Sequence, residues 1–439
     1  MKLAITLLAT MAMSSSSVWA QASEIEQLRQ ELLALKNQYL EKIQALELRL
    51  QEAEQQVEET QTDTQDLAIE LSQQANRTAA NTFNPGIGVV LNGQYLQQSR
   101  RDYEFALPGF IAAEESGPGD QGLSMGESEI NLVANVDDKF TASVTLAFGE
   151  ETEVEEAYLQ TLGLADGWRV KFGRFFSAIG YLNSHHAHTD DFAMRPLAYQ
   201  AFLGSNYRDD GVQLTWLAPS ELFWESGIEL YRGDCFPAGG SAHQGLGVKT
   251  LFSHLGGDIG FSQSWRAGIS YMMADGVERS IDNDLQDSFS GESRLWLADF
   301  IWKWAPDGNS NERNAKFQAE YFRRKDQGSF VNLAVSEQDL EATQSGWYAQ
   351  AVYQFMPQWR VGVRYEALQS DELTAAFADS VFDNLGYKPK QLSFMLDWSN
   401  SEFSRLRVQF SQDKSRPETT NLFLLQYIAA FGAHGAHSF

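Results

Sequence analysis

From Ile87 to Phe431, apolar and polar residues alternate in short runs, and the connections between runs go short, long, short, long. In Phe140–Phe148, Phe140, Ala142, Val144, Leu146 and Phe148 fall on one face, and Thr141, Ser143 and Thr145 on the other. Successive strand side chains point to opposite faces, so such a run has one apolar and one polar wall. A soluble sandwich also alternates. The connection lengths point instead to an antiparallel transmembrane barrel with one cramped rim and one rim of large loops. The pattern predicts an all-β fold of about sixteen strands. They lie near 87–98, 126–136, 140–149, 153–163, 168–176, 209–217, 221–231, 246–254, 264–274, 293–304, 314–324, 345–355, 359–369, 390–398, 403–412 and 420–431. Turn-forming residues mark tight connections at Asp137-Asp138, 165–167, 218–220, 306–308, Pro357-Gln358 and 399–401. Long loops are expected at 100–123, 177–208, 232–245, 275–292, 325–344 and 370–389, while 150–152 is short where a long loop is due.

Trp168, Trp304, Trp359 and Trp398 each lie within two residues of a short turn. Gathered at one rim they form an aromatic girdle at a membrane interface, which a soluble sandwich has no reason to build. Alternation then assigns the lumen. Arg169, Lys171, Glu225, Glu229, Lys316, Glu320, Arg360, Arg364, Glu366, Arg405 and Arg407 point inward and are expected to line the pore. Charges of both signs on a wide inner wall suit a watered channel.

The N-terminal part reads differently. Residues 1–20 have the form of a secretion signal: Lys2, an apolar stretch from Leu3 to Met13, and Val18-Trp-Ala20 as cleavage site. Within 21–76, apolar residues recur three and four apart from Ile25 through Leu28, Leu32, Leu35, Tyr39, Ile43, Leu46 and Leu50 to Leu71. This is a coiled-coil seam with a stutter at Tyr39, expected in the periplasm. A trimer is the assembly expected, and a single amphipathic helix is the alternative. Residues 77–86 read as a polar linker, and 87–439 as the barrel.

The net charge of −26 changes the picture, because 28 basic residues face 47 acidic ones beyond Asn76. An acidic barrel disfavours nucleic acid and favours cations near its mouths. One cysteine, Cys235, excludes an internal disulfide.

The loop at 177–208 carries the candidate chemistry. Three of the seven histidines, His185, His186 and His188, stand with Asp190 and Asp191 within seven residues. Imidazole and carboxylate ligate zinc. His434 and His437 add a pair at the C-terminal end, and His243 lies in another long loop. No nucleophile, base and orienting acid converge, so no enzyme is expected.

Glu156-Ala-Tyr158, then Val170-Lys-Phe-Gly-Arg174-Phe-Phe with Gly180 and Asn183, resembles the phosphate-selective porin O/P family. The resemblance implies a sixteen-stranded trimeric barrel behind a coiled-coil N-terminus. His185-His-Ala-His188, Asp209-Asp-Gly-Val212 and Ala433-His-Gly-Ala-His437 look closer to zinc-regulated outer-membrane proteins of proteobacteria, often labelled TonB-dependent receptors. Such receptors need a 22-stranded barrel and a plug domain, which the strand count and the coiled coil do not match. The expected function is a passive outer-membrane channel of a Gram-negative bacterium linked to zinc or divalent-cation uptake. A general or anion-selective porin is the second reading. A tether from the outer membrane to peptidoglycan or a periplasmic partner is the third.

Overall fold

The computed structural model describes residues 85–100, 105–113, 116–149, 152–239, 245–281, 283–334, 337–373 and 377–432. The expected signal, coiled coil and most of the linker lie outside these residues, as do His243, His434 and His437. The chain divides at Asn84/Pro85, and everything below concerns the unit that begins at Pro85. Among the described residues no helix is long and apolar enough to cross a membrane.

The strands are β1 Gly86–Gln98, β2 Gly122–Met125, β3 Ser128–Asn135, β4 Phe140–Phe148, β5 Thr152–Thr161, β6 Trp168–Phe176, β7 Arg208–Leu217, β8 Phe223–Tyr231 and β9 Val248–Ile259. They continue as β10 Gln263–Ser280, β11 Ser288–Trp304, β12 Asn314–Val331, β13 Gln338–Met356, β14 Trp359–Ser370, β15 Lys390–Ser401, β16 Ser404–Lys414 and β17 Thr420–Gly432. All pairings are antiparallel, and β17 returns to β1 with Gly88 opposite Gly432 and Gln98 opposite Leu422. β2 pairs with Gly93 to Leu96 and β3 with Gly86 to Val90, so these two form one interrupted stave. The result is a closed ring of sixteen staves with no free edge.

Alternation holds on the outer wall. Val361, Val363 and Tyr365 of β14 and Leu406 and Phe410 of β16 are exposed outward. At the short-turn rim Trp168 stacks near Trp216, and Trp359 near Trp398, each pair 6.3 Å apart. A second aromatic level lies higher, where Trp296 meets Tyr271 at 4.3 Å and Trp347 meets Tyr365 at 5.6 Å. Along β11 the outward residues from Trp304 to Trp296 are apolar, and the next ones are Arg294 and Glu292. Eight strand steps cover about 26 Å, or roughly 20 Å of height after barrel tilt.

Above that level the polarity inverts. The outward positions become Glu278, Glu292, Arg323, Lys325 and Glu341, and the inward positions become Val277, Phe289, Phe330, Leu340 and Ala342. This inversion corrects the expected loops at 275–292 and 325–344. Those stretches are continuations of β10–β11 as far as Ser280 and Ser288, and of β12–β13 as far as Val331 and Gln338. They alternate with the opposite sense, polar side chains outward and apolar ones inward.

The inverted half encloses a packed core. Residues 177–207 fold into the barrel and carry helix α1, Leu197–Leu203, all seven residues of which are buried. Leu107, Phe110 and Ile111 from the first long loop and Phe377 and Phe382 from the loop before β15 join it. Phe202 stacks on Phe322 at 5.6 Å and meets Phe110 edge-on at 5.7 Å. The watered lumen expected from the inner wall is also filled at the level of the outward aromatic band, where Arg364, Glu366 and Arg407 are at most 2% exposed.

Candidate metal centre

The inward loop leaves β6 and is bent over at once. Gly180 adopts φ +68°, and a Cβ there would lie 2.5 Å from Glu320 Oε2, so only glycine lets the chain approach β12 this closely. Asn183 closes the base of the loop. Its Nδ2 donates to the carbonyls of Ser177 (2.7 Å) and Tyr207 (2.9 Å), and its Oδ1 accepts the Tyr207 N–H at 2.7 Å. Gly180 and Asn183, both part of the resemblance motif, thus turn the loop inward.

Most of the expected pore-lining carboxylates hold this loop. Glu229 accepts from Ala178 N–H (2.8 Å) and the Ser177 hydroxyl. Glu320 accepts from the N–H groups of Tyr181 (3.0 Å) and Leu182 (3.2 Å) and from the hydroxyls of Tyr199 and Tyr348. Glu366 accepts from Leu197 N–H at the start of α1 and pairs with Arg364 at 3.1 Å. Arg169 pairs with Glu225 at 2.8 Å, and the Lys171 ammonium lies over Tyr158 at 4.6 Å.

The five clustered loop residues separate. Asp191 pairs with Lys316 of β12 and with Arg360 of β14 at 3.2 Å, and these two cations hold its carboxyl below the usual range despite burial. Asp190 pairs with Arg195 at 2.8 Å, and its carbonyl accepts from Arg407 at 2.6 Å and Arg405 at 3.5 Å. His185 packs on Tyr181, with Nδ1 2.7 Å from the Tyr181 carbonyl. Burial, then the nearby Arg195, lowers its pKa to about 3, so it stays neutral. The expectation that His185, Asp190 and Asp191 share a site with the other histidines therefore gives way. A loop crossing a lumen presents neighbouring side chains to different walls.

His186 and His188 do come together, their rings 5.8 Å apart, against carboxylates of the barrel wall. His186 Nδ1 lies 3.1 Å from Glu155 Oε2 and 3.2 Å from Glu129 Oε2, and its Nε2 lies 3.3 Å from Glu156. His188 Nδ1 is 2.8 Å from the other oxygen of Glu129. Burial disfavours a charged His186, but the hydrogen bonds to Glu129, Glu155 and Glu156 outweigh it and raise its pKa well above the ordinary value. A β-bulge aims two of these carboxylates. Thr145 pairs with Glu156 and Leu146 with Val154, so Glu155 is the extra residue and both glutamates face inward. Glu129 arrives from β3, just past the break after β2. None of these glutamates is a candidate ligand in the sequence reading, where Glu156 enters only through the resemblance motif. Their one local sign is the doublet Glu155-Glu156, which breaks an otherwise alternating strand.

The spacing fits a metal ion. One donor atom each from Glu129, Glu155 and His186 lie within 4.8 Å of one another. Ligands around a tetrahedral zinc with bonds of about 2.0–2.2 Å are roughly 3.3–3.6 Å apart. The ion would replace the proton on His186 Nδ1, and Glu156 would keep hold of Nε2–H, an arrangement that fixes a ligating imidazole.

An uncharacterized protein of Aquifex aeolicus is 31% identical over 397 residues, covering 83% of this chain and 82% of that protein. The chain belongs to the same family as this Aquifex protein. No family model matches. Among solved structures the chain is similar to the outer-membrane channel DcaP of Acinetobacter baumannii (15% identity, TM-score 0.49, 79% of this chain and 96% of that one). It is also similar to Salmonella typhi OmpF (13%, 0.49, 80% and 99%) and to an anion-selective porin from Comamonas acidovorans (10%, 0.46, 79% and 98%). The closed barrel itself stands on its own strand pairing.

Proposed function

We propose that the chain is an outer-membrane barrel of the porin type, which passes small solutes by diffusion through a narrow, loop-constricted lumen and binds zinc or a similar divalent cation at Glu129, Glu155 and His186. The observation that carries this reading is the seating of His186 between two carboxylates inside a closed barrel, at zinc-ligand spacing. The outward apolar band between two aromatic levels supports an outer-membrane location, since its height is close to that of a lipid-facing barrel belt. The resemblance to zinc-regulated outer-membrane proteins points the same way. A homotrimer belongs to this reading as its assembly.

Inward Arg360, Arg364, Arg405 and Arg407 favour the second reading, an anion-selective porin. Against it, Arg360 is committed to Asp191 and Asp397, and Arg364 to Glu366.

Isothermal titration of the purified, metal-stripped chain with zinc tests the site. One zinc per barrel is expected. His186→Ala should abolish binding, and Glu156→Ala, by freeing the ring, should weaken it about 10- to 100-fold. Affinity unchanged in His186→Ala removes the metal reading and leaves the porin.

A further inference from the structure

We infer that residues 183–193 form a strap across the lumen, and that a divalent metal ion at its histidine end latches it shut. The inference rests on the zinc site proposed above and concerns what that site controls.

The strap grips two nearly opposite walls. His186 meets Glu155 and Glu156 on β5, while Asp191, five residues later, meets Lys316 on β12 and Arg360 on β14. β5 is seven staves from β12 in one direction and seven from β14 in the other, around a ring of sixteen. The two grips differ in kind. The aspartate end is held by fixed cations of the wall, so its charges balance without any added ion. At the histidine end the buried carboxylates of Glu129, Glu155 and Glu156 converge on His186, with His188 as a second partner of Glu129, so three carboxylates face two imidazoles and a divalent ion would offset their negative charge. Only this end depends on something that can arrive and leave.

Asn131 and Lys171, inward on β3 and β6 beside the histidine end, are half-buried. Release of the histidine end would widen the lumen along β3–β6 and leave α1 and its core in place. Metal-loaded, the strap is pinned at both walls and the path is closed. Metal-free, the histidine end is held by the hydrogen bonds of His186 and His188 alone, and the path opens when these let go.

The test uses the full-length barrel in planar bilayers, with conductance recorded in micromolar zinc chloride and then in excess chelator. Bound zinc is counted on the same preparation by elemental analysis. Zinc should lower the odds of the open state about tenfold, the shift given by a tenfold preference for the closed strap. Chelator should reverse it. Glu155→Gln should conduct whether or not zinc is present, and Asp191→Asn should conduct even with zinc bound. Heat-modifiable gel migration identifies folded barrels, and His186→Gln replaces Glu155→Gln if the latter does not fold. Stoichiometric zinc with conductance unchanged or raised overturns the latch and leaves the site standing. No bound zinc overturns both.

Discussion

A histidine held by three carboxylates can be a buried cation or a metal ligand in waiting, and at His186 the geometry serves both. Its Nδ1 faces two oxygens and its Nε2 a third, so a proton and a metal ion compete for the same atom. The adjacent His185 shows how sharply the environment divides neighbours: it faces a backbone carbonyl and an arginine, and is kept neutral. The other decisive residue is Phe202, fully buried between Phe322 and Phe110 with the Arg324 guanidinium 5.1 Å from its ring. Phe202→Ala should destabilise the barrel by about 3–5 kcal/mol through the cavity it leaves. Urea unfolding of the refolded protein measures this, and a loss below about 1 kcal/mol would mean that the α1 core contributes little.

At the scale of elements, the barrel is two different proteins stacked on one set of strands. Its short-turn half is apolar outside and polar inside. Its long-loop half is polar outside and largely apolar inside, around a buried Arg279–Asp326–Arg324 ion cluster. The two outward positions Ala298 and Ser290 sit on one strand, β11, on either side of the change. Ala298→Arg places a charge in the lipid band and should cost about 2–4 kcal/mol, whereas Ser290→Arg should cost about 0–1. Equal costs, measured by refolding into vesicles, would remove the boundary. Alternation made the strands, their facing and the short turns legible from the sequence. It failed where the sense reversed, because Glu278, Lys325 and Glu341 at outward positions look like loop residues when lipid is assumed outside. The metal centre was half legible. His186 and His188 stand out locally, but Glu155 and Glu129 lie 31 and 59 residues from their histidine partners. Pairing across that distance is set by barrel register and a bulge, which no local pattern carries.

For the whole molecule, the inward loop decides what kind of barrel this is. Sixteen staves enclose enough width for an open aqueous channel, yet the loop, its helix and two further loops fill the long-loop half. Inward charges that would line an open pore instead hold the loop: Glu229, Glu320 and Glu366 by its backbone, Arg360 and Arg407 by Asp191 and the Asp190 carbonyl. Passage therefore depends on the strap between the walls, and the strap depends on the site at its histidine end. The most direct measurement is an anomalous difference map at the zinc edge from crystals of the full chain grown with zinc. The account predicts one strong peak about 2.0–2.2 Å from His186 Nδ1 and from oxygens of Glu129 and Glu155. A map with no peak there, or with zinc bound at Asp190 and Asp191 instead, would contradict it.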